Sequence, residues 1–299
     1  MILRTLSRLS LALAATVIMS VLWPSVSVAR TLNRAVASAQ LLPTGLTTVT
    51  ARCPGVTRRV SGGFLANHAG GTGLLVRASY PSRNGWTVEV ENVAPVAGDI
   101  TVVSAIVYCT GLRAGETFEI RENSVDVPYG GGATGPSFTT VRASCGRRRG
   151  VVAVGGGFRI DGGLTAEDLA SNGGLRASEP EPWAWRLTAG NRFAGPGAHR
   201  NFTAFVVCAS GVQRGTLVVA DSQEVARDPE STVSAACPDA GTSVAAGGFT
   251  LAGANDELSA LPERVYASYA AGSSWDVTVG TVPQITNKPR VAALCVPMP

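Results

Sequence analysis

The segment Thr48-Val49-Thr50-Ala51-Arg52-Cys53 returns as Thr140-Val141-Arg142-Ala143-Ser144-Cys145 and again as Thr232-Val233-Ser234-Ala235-Ala236-Cys237, a step of 92 residues from 48 to 140 and from 140 to 232. A fixed internal period narrows the choice of fold more than any single motif, because every copy has to bury the same apolar face in the same way. Further landmarks follow in each copy. A Gly-Gly-Phe stands at Gly62-Gly63-Phe64, Gly156-Gly157-Phe158 and Gly247-Gly248-Phe249. An Ala-Ser pair comes next, and a tryptophan follows its serine by seven residues: Ser79 and Trp86, Ser178 and Trp185, Ser268 and Trp275. A second cysteine closes each copy, at Cys109, Cys208 or Cys295. The repeats occupy 30–109, 110–208 and 209–299, with residues 1–29 set apart as described below.

Around the tryptophans the chain alternates with period two. Trp86, Val88 and Val90 interleave with Thr87, Glu89 and Glu91, and Trp275, Val277 and Val279 with Asp276 and Thr278. This is the pattern of half-buried strands with the indole on the inner face. The run before each closing cysteine is apolar on both faces, as in Val102-Val103-Ser104-Ala105-Ile106-Val107-Tyr108, and predicts a central strand. A glycine inside a strand marks a bulge or a close approach, and Gly62, Gly156 and Gly247 share a face with the phenylalanines that follow them. Each indole is therefore expected to lie over bare backbone at that glycine. No sustained 3.6-residue period occurs, and turns rich in Gly, Pro, Asn and Ser separate the strands. The expected fold class is all-β, with three repeated antiparallel units arranged either as tandem small sandwiches or as a pseudo-threefold, β-prism-like body.

The N-terminus predicts the compartment. Arg4 and Arg8 precede an apolar run from Leu9 to Trp23 that ends at Pro24 and Ser27-Val28-Ala29, the pattern of a secretory signal peptide over residues 1–29. A secreted or periplasmic chain beginning near Arg30 is expected, with no membrane span after cleavage. Six cysteines in such a chain read first as disulfides. Of the fifteen pairings that six cysteines allow, those joining Cys53 to Cys109, Cys145 to Cys208 and Cys237 to Cys295 respect the repeat and give three equivalent bonds. The formal charge of +4 falls to +2 without Arg4 and Arg8, an excess too small to name a partner. Lys288 is the single lysine among 25 basic residues, which suits a GC-rich bacterial genome better than nucleic-acid recognition.

The order Cys, Gly-Gly-Phe, Ser, Trp, Cys resembles a module found in bacterial exported proteins. More faintly, the Cys-Pro, Gly-Phe and apolar-Cys pattern resembles the vitelline membrane outer layer protein I family. The second resemblance implies three sheets in a β-prism. Neither implies a catalytic residue.

Candidate chemistry is sparse. His68 and His199 occupy different places in their repeats and the third repeat has no histidine, which rules out a histidine-dependent triad repeated in each unit. Glu167-Asp168 and Asp256-Glu257 are acidic pairs of the kind that serve glycoside hydrolysis or a loop calcium site, and they are the weak candidates for metal ligands. Gly130-Gly131-Gly132-Ala133-Thr134-Gly135 lacks the Gly-Lys-Ser/Thr of a phosphate loop and reads as a connection. Arg147-Arg148-Arg149 is a short basic run that suits an acidic polymer, with Arg58-Arg59 at the matching place in the first repeat. Trp183 follows Glu179-Pro180-Glu181-Pro182 and lies outside the alternation, so it reads as an exposed contact residue. No cofactor is expected. These features point to an exported, non-enzymatic protein with a structural or surface-interaction role, its partner a cell-surface polymer or protein and not nucleic acid. The alternatives are a protein that binds carbohydrate or cell-wall polymer, and a polysaccharide hydrolase using the loop carboxylates.

Overall fold

The computed structural model describes residues 32–42, 45–67, 74–92, 101–128, 138–162, 174–191, 199–212, 216–221, 230–238, 242–251, 264–280 and 289–297. Each repeat supplies six strands. The first gives β1 (Asn33–Gln40), β2 (Gly45–Arg52), β3 (Arg58–Asn67), β4 (Leu74–Ser82), β5 (Gly85–Asn92) and β6 (Val102–Thr110). The second gives β7 (Thr117–Pro128), β8 (Phe138–Ser144), β9 (Val151–Asp161), β10 (Leu175–Glu181), β11 (Ala184–Gly190) and β12 (His199–Ser210). The third gives β13 (Thr216–Asp221), β14 (Glu230–Ala236), β15 (Thr242–Thr250), β16 (Arg264–Ala271), β17 (Ser274–Gly280) and β18 (Arg290–Pro297).

These strands form three six-stranded antiparallel sheets, and no sheet belongs to one repeat. The orders are β1-β6-β3-β16-β17-β14, β2-β5-β4-β9-β12-β7 and β13-β18-β15-β10-β11-β8. The first, sixth and third strands of a repeat make one half-sheet, and its second, fifth and fourth make another. Half-sheets of different repeats then join edge to edge, through β3 with β16, β9 with β4, and β15 with β10. The joints run from repeat 1 to 3, from 3 to 2 and from 2 back to 1, so the ring closes and the pseudo-threefold arrangement holds in place of separate tandem sandwiches.

The strands before the closing cysteines are central, as their two-faced apolarity predicts. β6 lies between β1 and β3, β12 between β7 and β9, and β18 between β13 and β15. Each central strand and its third-strand neighbour carry a register shift at the same point, between Arg59 and Ser61, Ala153 and Gly155, and Val244 and Ala246. The extra residues Val60, Val154 and Ala245 sit in a small apolar cluster shared by all three repeats, which also holds Val152, Val207 and Ala209. Such bulges bend a strand and re-aim its side chains.

The disulfides pair Cys53 with Cys109, Cys145 with Cys208 and Cys237 with Cys295. Each runs from the end of a repeat's second strand to its sixth, and these belong to different sheets. The bonds therefore tie the three sheets to one another in pairs, while the hydrogen-bonded joints tie the repeats.

Candidate functional site

The Gly-Gly-Phe, serine and tryptophan that the repeats hold in common converge on the joints. Each joint registers two residue pairs, and one of them always sets a Gly-Gly-Phe phenylalanine against the serine of another repeat: Phe64 with Ser268, Phe158 with Ser79, Phe249 with Ser178. The serine hydroxyl accepts the indole N–H of its own repeat's tryptophan, at 2.8 Å for Trp86 to Ser79 and 2.9 Å for Trp185 to Ser178 and Trp275 to Ser268. The first glycine of each pair leaves room for that indole, since a Cβ on Gly62, Gly156 or Gly247 would overlap Trp86, Trp185 or Trp275. The second glycine serves the joint. A Cβ on Gly63, Gly157 or Gly248 would overlap the backbone carbonyl of Ser268, Ser79 or Ser178. One serine thus fixes the ring within its repeat through its side chain and meets the next repeat through its backbone.

Burial decides what these aromatics can do. Trp86, Trp185 and Trp275 are exposed by 1%, 2% and 1%, and Phe64, Phe158 and Phe249 by 1% each. They form a core and offer no platform for stacking on a sugar ring. Gly157→Ala tests the joint directly, because its new methyl would meet only backbone of Ser79 and Tyr80, which has no rotamer through which to yield. We expect a loss of about 3 kcal/mol or more, at the upper end for overpacked sites, measured by urea unfolding. Native stability would show that the repeats do not approach so closely there.

Polar groups lock the same joints. The Tyr108 hydroxyl donates to the Ala270 carbonyl at 3.0 Å and accepts the Ala270 N–H at 2.7 Å, and burial pushes its pKa up to about 12. Tyr80 of the first repeat stacks on Phe205 of the second with ring centroids 5.0 Å apart, beneath the Arg159 guanidinium.

The sequence candidates separate. The full exposure expected of Trp183 is not found. The residue is half-buried against the shared apolar cluster, and its carbonyl accepts the Cys145 N–H at 2.9 Å. Glu179-Pro180-Glu181 is strand, the end of β10, and only Pro182 and Trp183 make the turn. Pro180 is tolerated because β10 pairs with β15 only at Ala177 and Ser178, and Pro81 holds the matching place in β4. Arg147, Arg148 and Arg149 are exposed in the β8–β9 turn. The hydrogen bond from Arg121, helped by Arg148, holds the exposed Glu119 carboxyl below its usual range. In the first repeat Arg58 is exposed but Arg59 is buried, and desolvation lowers its pKa to about 10. His199 is exposed at the start of β12, with Nδ1 2.9 Å from Asp126 Oδ2. His68, Glu167, Asp168, Asp256, Glu257 and the glycine run at 130–135 lie outside the described residues. Among the described residues no group of three or more His, Cys, Asp or Glu could hold a metal ion.

One recess is built, Cys53 apart, from residues that the repeats do not share. A groove of about 520 Å³ beside the β4–β5 turn is lined by Thr50, Arg52, Cys53, Ser82, Arg83, Asn84, Gly85 and Thr87. Three hydroxyls form a chain on its wall. Thr50 Oγ1 lies 2.9 Å from Thr87 Oγ1, and Thr87 donates to Ser82 Oγ at 2.7 Å. A hydroxyl has one proton to give, so Thr50 donates to Thr87 and the Ser82 proton remains for another acceptor. Arg83 holds φ at +37°, the only positive value at a non-glycine among the described residues. No motif in the sequence marks this groove, although aligning the tryptophans sets Arg83 where the third repeat has Gly272, whose φ is +63°. No protein-family model matches the chain, and no curated protein matches it either.

Proposed function

We propose that the chain is an exported, non-enzymatic protein whose threefold body serves as a rigid scaffold in a structural or surface-interaction role outside the cytoplasm. One observation carries the reading. The Gly-Gly-Phe, Ser, Trp and both cysteines that recur in every repeat are spent on burial, joints and disulfides, whereas the charged surface residues differ from repeat to repeat. The one exposed polar position that recurs in the segment leading to the first cysteine, Thr48, Thr140 and Thr232, is a lone strand threonine. A site duplicated for chemistry would recur with its polar groups facing solvent. Three disulfides fit an oxidising environment, and the apolar run from Leu9 to Trp23 supplies a route of export.

The test combines location and chemistry. Fractionation with intact-mass measurement should recover a chain beginning near Arg30 outside the cytoplasm with all cysteines oxidised; a reduced, full-length cytoplasmic chain would overturn the reading. Replacing Glu167, Asp168, Asp256 and Glu257 together by their amides should change stability by no more than about ±0.5 kcal/mol per site, the usual surface range. Calcium should leave the melting temperature unchanged, because a ligand that binds only the native state must raise it. A calcium-dependent rise abolished in that variant would establish a metal-dependent binding protein. Turnover on a polysaccharide panel abolished in the same variant would establish the hydrolase instead.

The second reading, binding of carbohydrate or wall polymer, is favoured by the groove beside the β4–β5 turn and not by the buried tryptophans.

A further inference from the structure

We propose that the groove lined by Thr50, Arg52, Ser82, Arg83 and Thr87 binds an acidic glycan, with the two guanidinium groups on its carboxylate or phosphate and the hydroxyl chain on neighbouring sugar hydroxyls. The proposal rests on the surface-interaction reading above and names its ligand class.

Charge is the first argument. Neither Arg52 nor Arg83 has a hydrogen-bond or ion-pair partner among the described residues, and no carboxylate lines the groove. The matching positions in the other repeats are occupied differently. In the second repeat Arg142 stands at the place of Thr50 and pairs with Glu181 at 3.0 Å, and Arg186 at the place of Thr87 pairs with Glu179. In the third, Asp276 stands at the place of Thr87 and accepts from Ser274 at 2.8 Å. Among the described residues, only the first repeat presents unpaired cations there. Guanidinium forks match planar carboxylate and phosphate oxygens, and a row of hydroxyls suits a polyhydroxylated chain.

Backbone is the second argument. The β4–β5 turn has two residues, and its first position takes a left-handed φ, where hairpins favour glycine. The third repeat obeys with Gly272. The first repeat instead holds an arginine in that conformation, and that arginine lines the groove. Strain kept at a residue that lines a recess points from the outlier to a use.

The experiment titrates the oxidised protein by calorimetry with two acidic probes, oligogalacturonate for carboxylate and a phosphorylated mannooligosaccharide for phosphate, against a neutral maltooligosaccharide. At least one acidic probe should bind, with affinity falling as salt rises, and the neutral probe should not. Arg52→Gln and Arg83→Gly should each weaken binding tenfold or more, while Arg83→Gly leaves the melting temperature equal or higher because glycine relieves the turn. Replacing Arg147, Arg148 and Arg149 by alanine should leave the affinity within twofold. The acidic probe that binds identifies the oxyanion. Binding of neither acidic probe, or binding indifferent to Arg52→Gln and Arg83→Gly, would overturn the assignment. A protein found outside the cytoplasm that binds neither probe loses the groove proposal and keeps the scaffold reading; a cytoplasmic chain that binds one does the reverse.

Discussion

Trp86→Ala should lower the free energy of unfolding by about 3–5 kcal/mol, the range for truncating a large buried aromatic. The ring is 1% exposed, rests on the bare backbone of Gly62 and gives its N–H to Ser79. Removing it opens a cavity and strips the Ser79 hydroxyl of its donor at a joint with another repeat, so transfer, cavity and hydrogen-bond losses act together. Trp86→Phe separates them. Phenylalanine retains most of the apolar volume and loses the N–H, so its cost should be well under half that of alanine. Chemical denaturation of both variants measures the difference. A near-neutral alanine variant would place the ring at the surface and restore the tryptophans as ligand contacts. A phenylalanine variant as damaged as the alanine one would shift the weight from packing to the Trp86–Ser79 bond.

How far the sequence foretold this follows from what kind of contact each residue makes. The seat of the indole on Gly62, Gly156 and Gly247 was legible because the glycine and the phenylalanine two residues on share a strand face, and face is a period-two property. The second glycine was not. Gly63, Gly157 and Gly248 answer to a carbonyl in a different repeat, and no local period encodes a partner so distant in the chain. For the same reason alternation left tandem sandwiches and a closed ring equally open: it tells which face is covered and not what covers it. Trp183 misled because Pro-Glu-Pro reads as turn, whereas Pro180 sits in a strand just beyond the stretch where a neighbour needs its N–H. In the groove, Arg83 carried a readable signal, glycine's place taken by arginine. Arg52, Thr50 and Thr87 carried none, since the polar positions of an alternating strand accept such residues without a function.

Replacing Cys53 and Cys109 together by alanine should cost about 4 kcal/mol, from the chain entropy released when a loop of 56 residues is no longer closed. The other bonds span 63 and 58 residues, and because the cost grows only with the logarithm of loop length, the three single losses should agree within roughly 1 kcal/mol. What they do together is less ordinary. Each bond links two sheets, and the three join the sheets in a ring parallel to the ring of joints between repeats. Losing one bond leaves the ring of joints intact and two bonds to hold the sheets, so each single variant should still fold. Losing all three removes about 12 kcal/mol on additive counting, comparable to the whole stability of an ordinary domain at about 5–15 kcal/mol. The fully reduced protein should therefore unfold or lose its cooperative transition near physiological temperature. Melting curves of the three paired variants and of the reduced wild type measure the series. Single losses below about 1 kcal/mol, or a reduced chain that melts like the oxidised one, would mean that packing alone holds the sheets together and that the disulfides are dispensable to the scaffold.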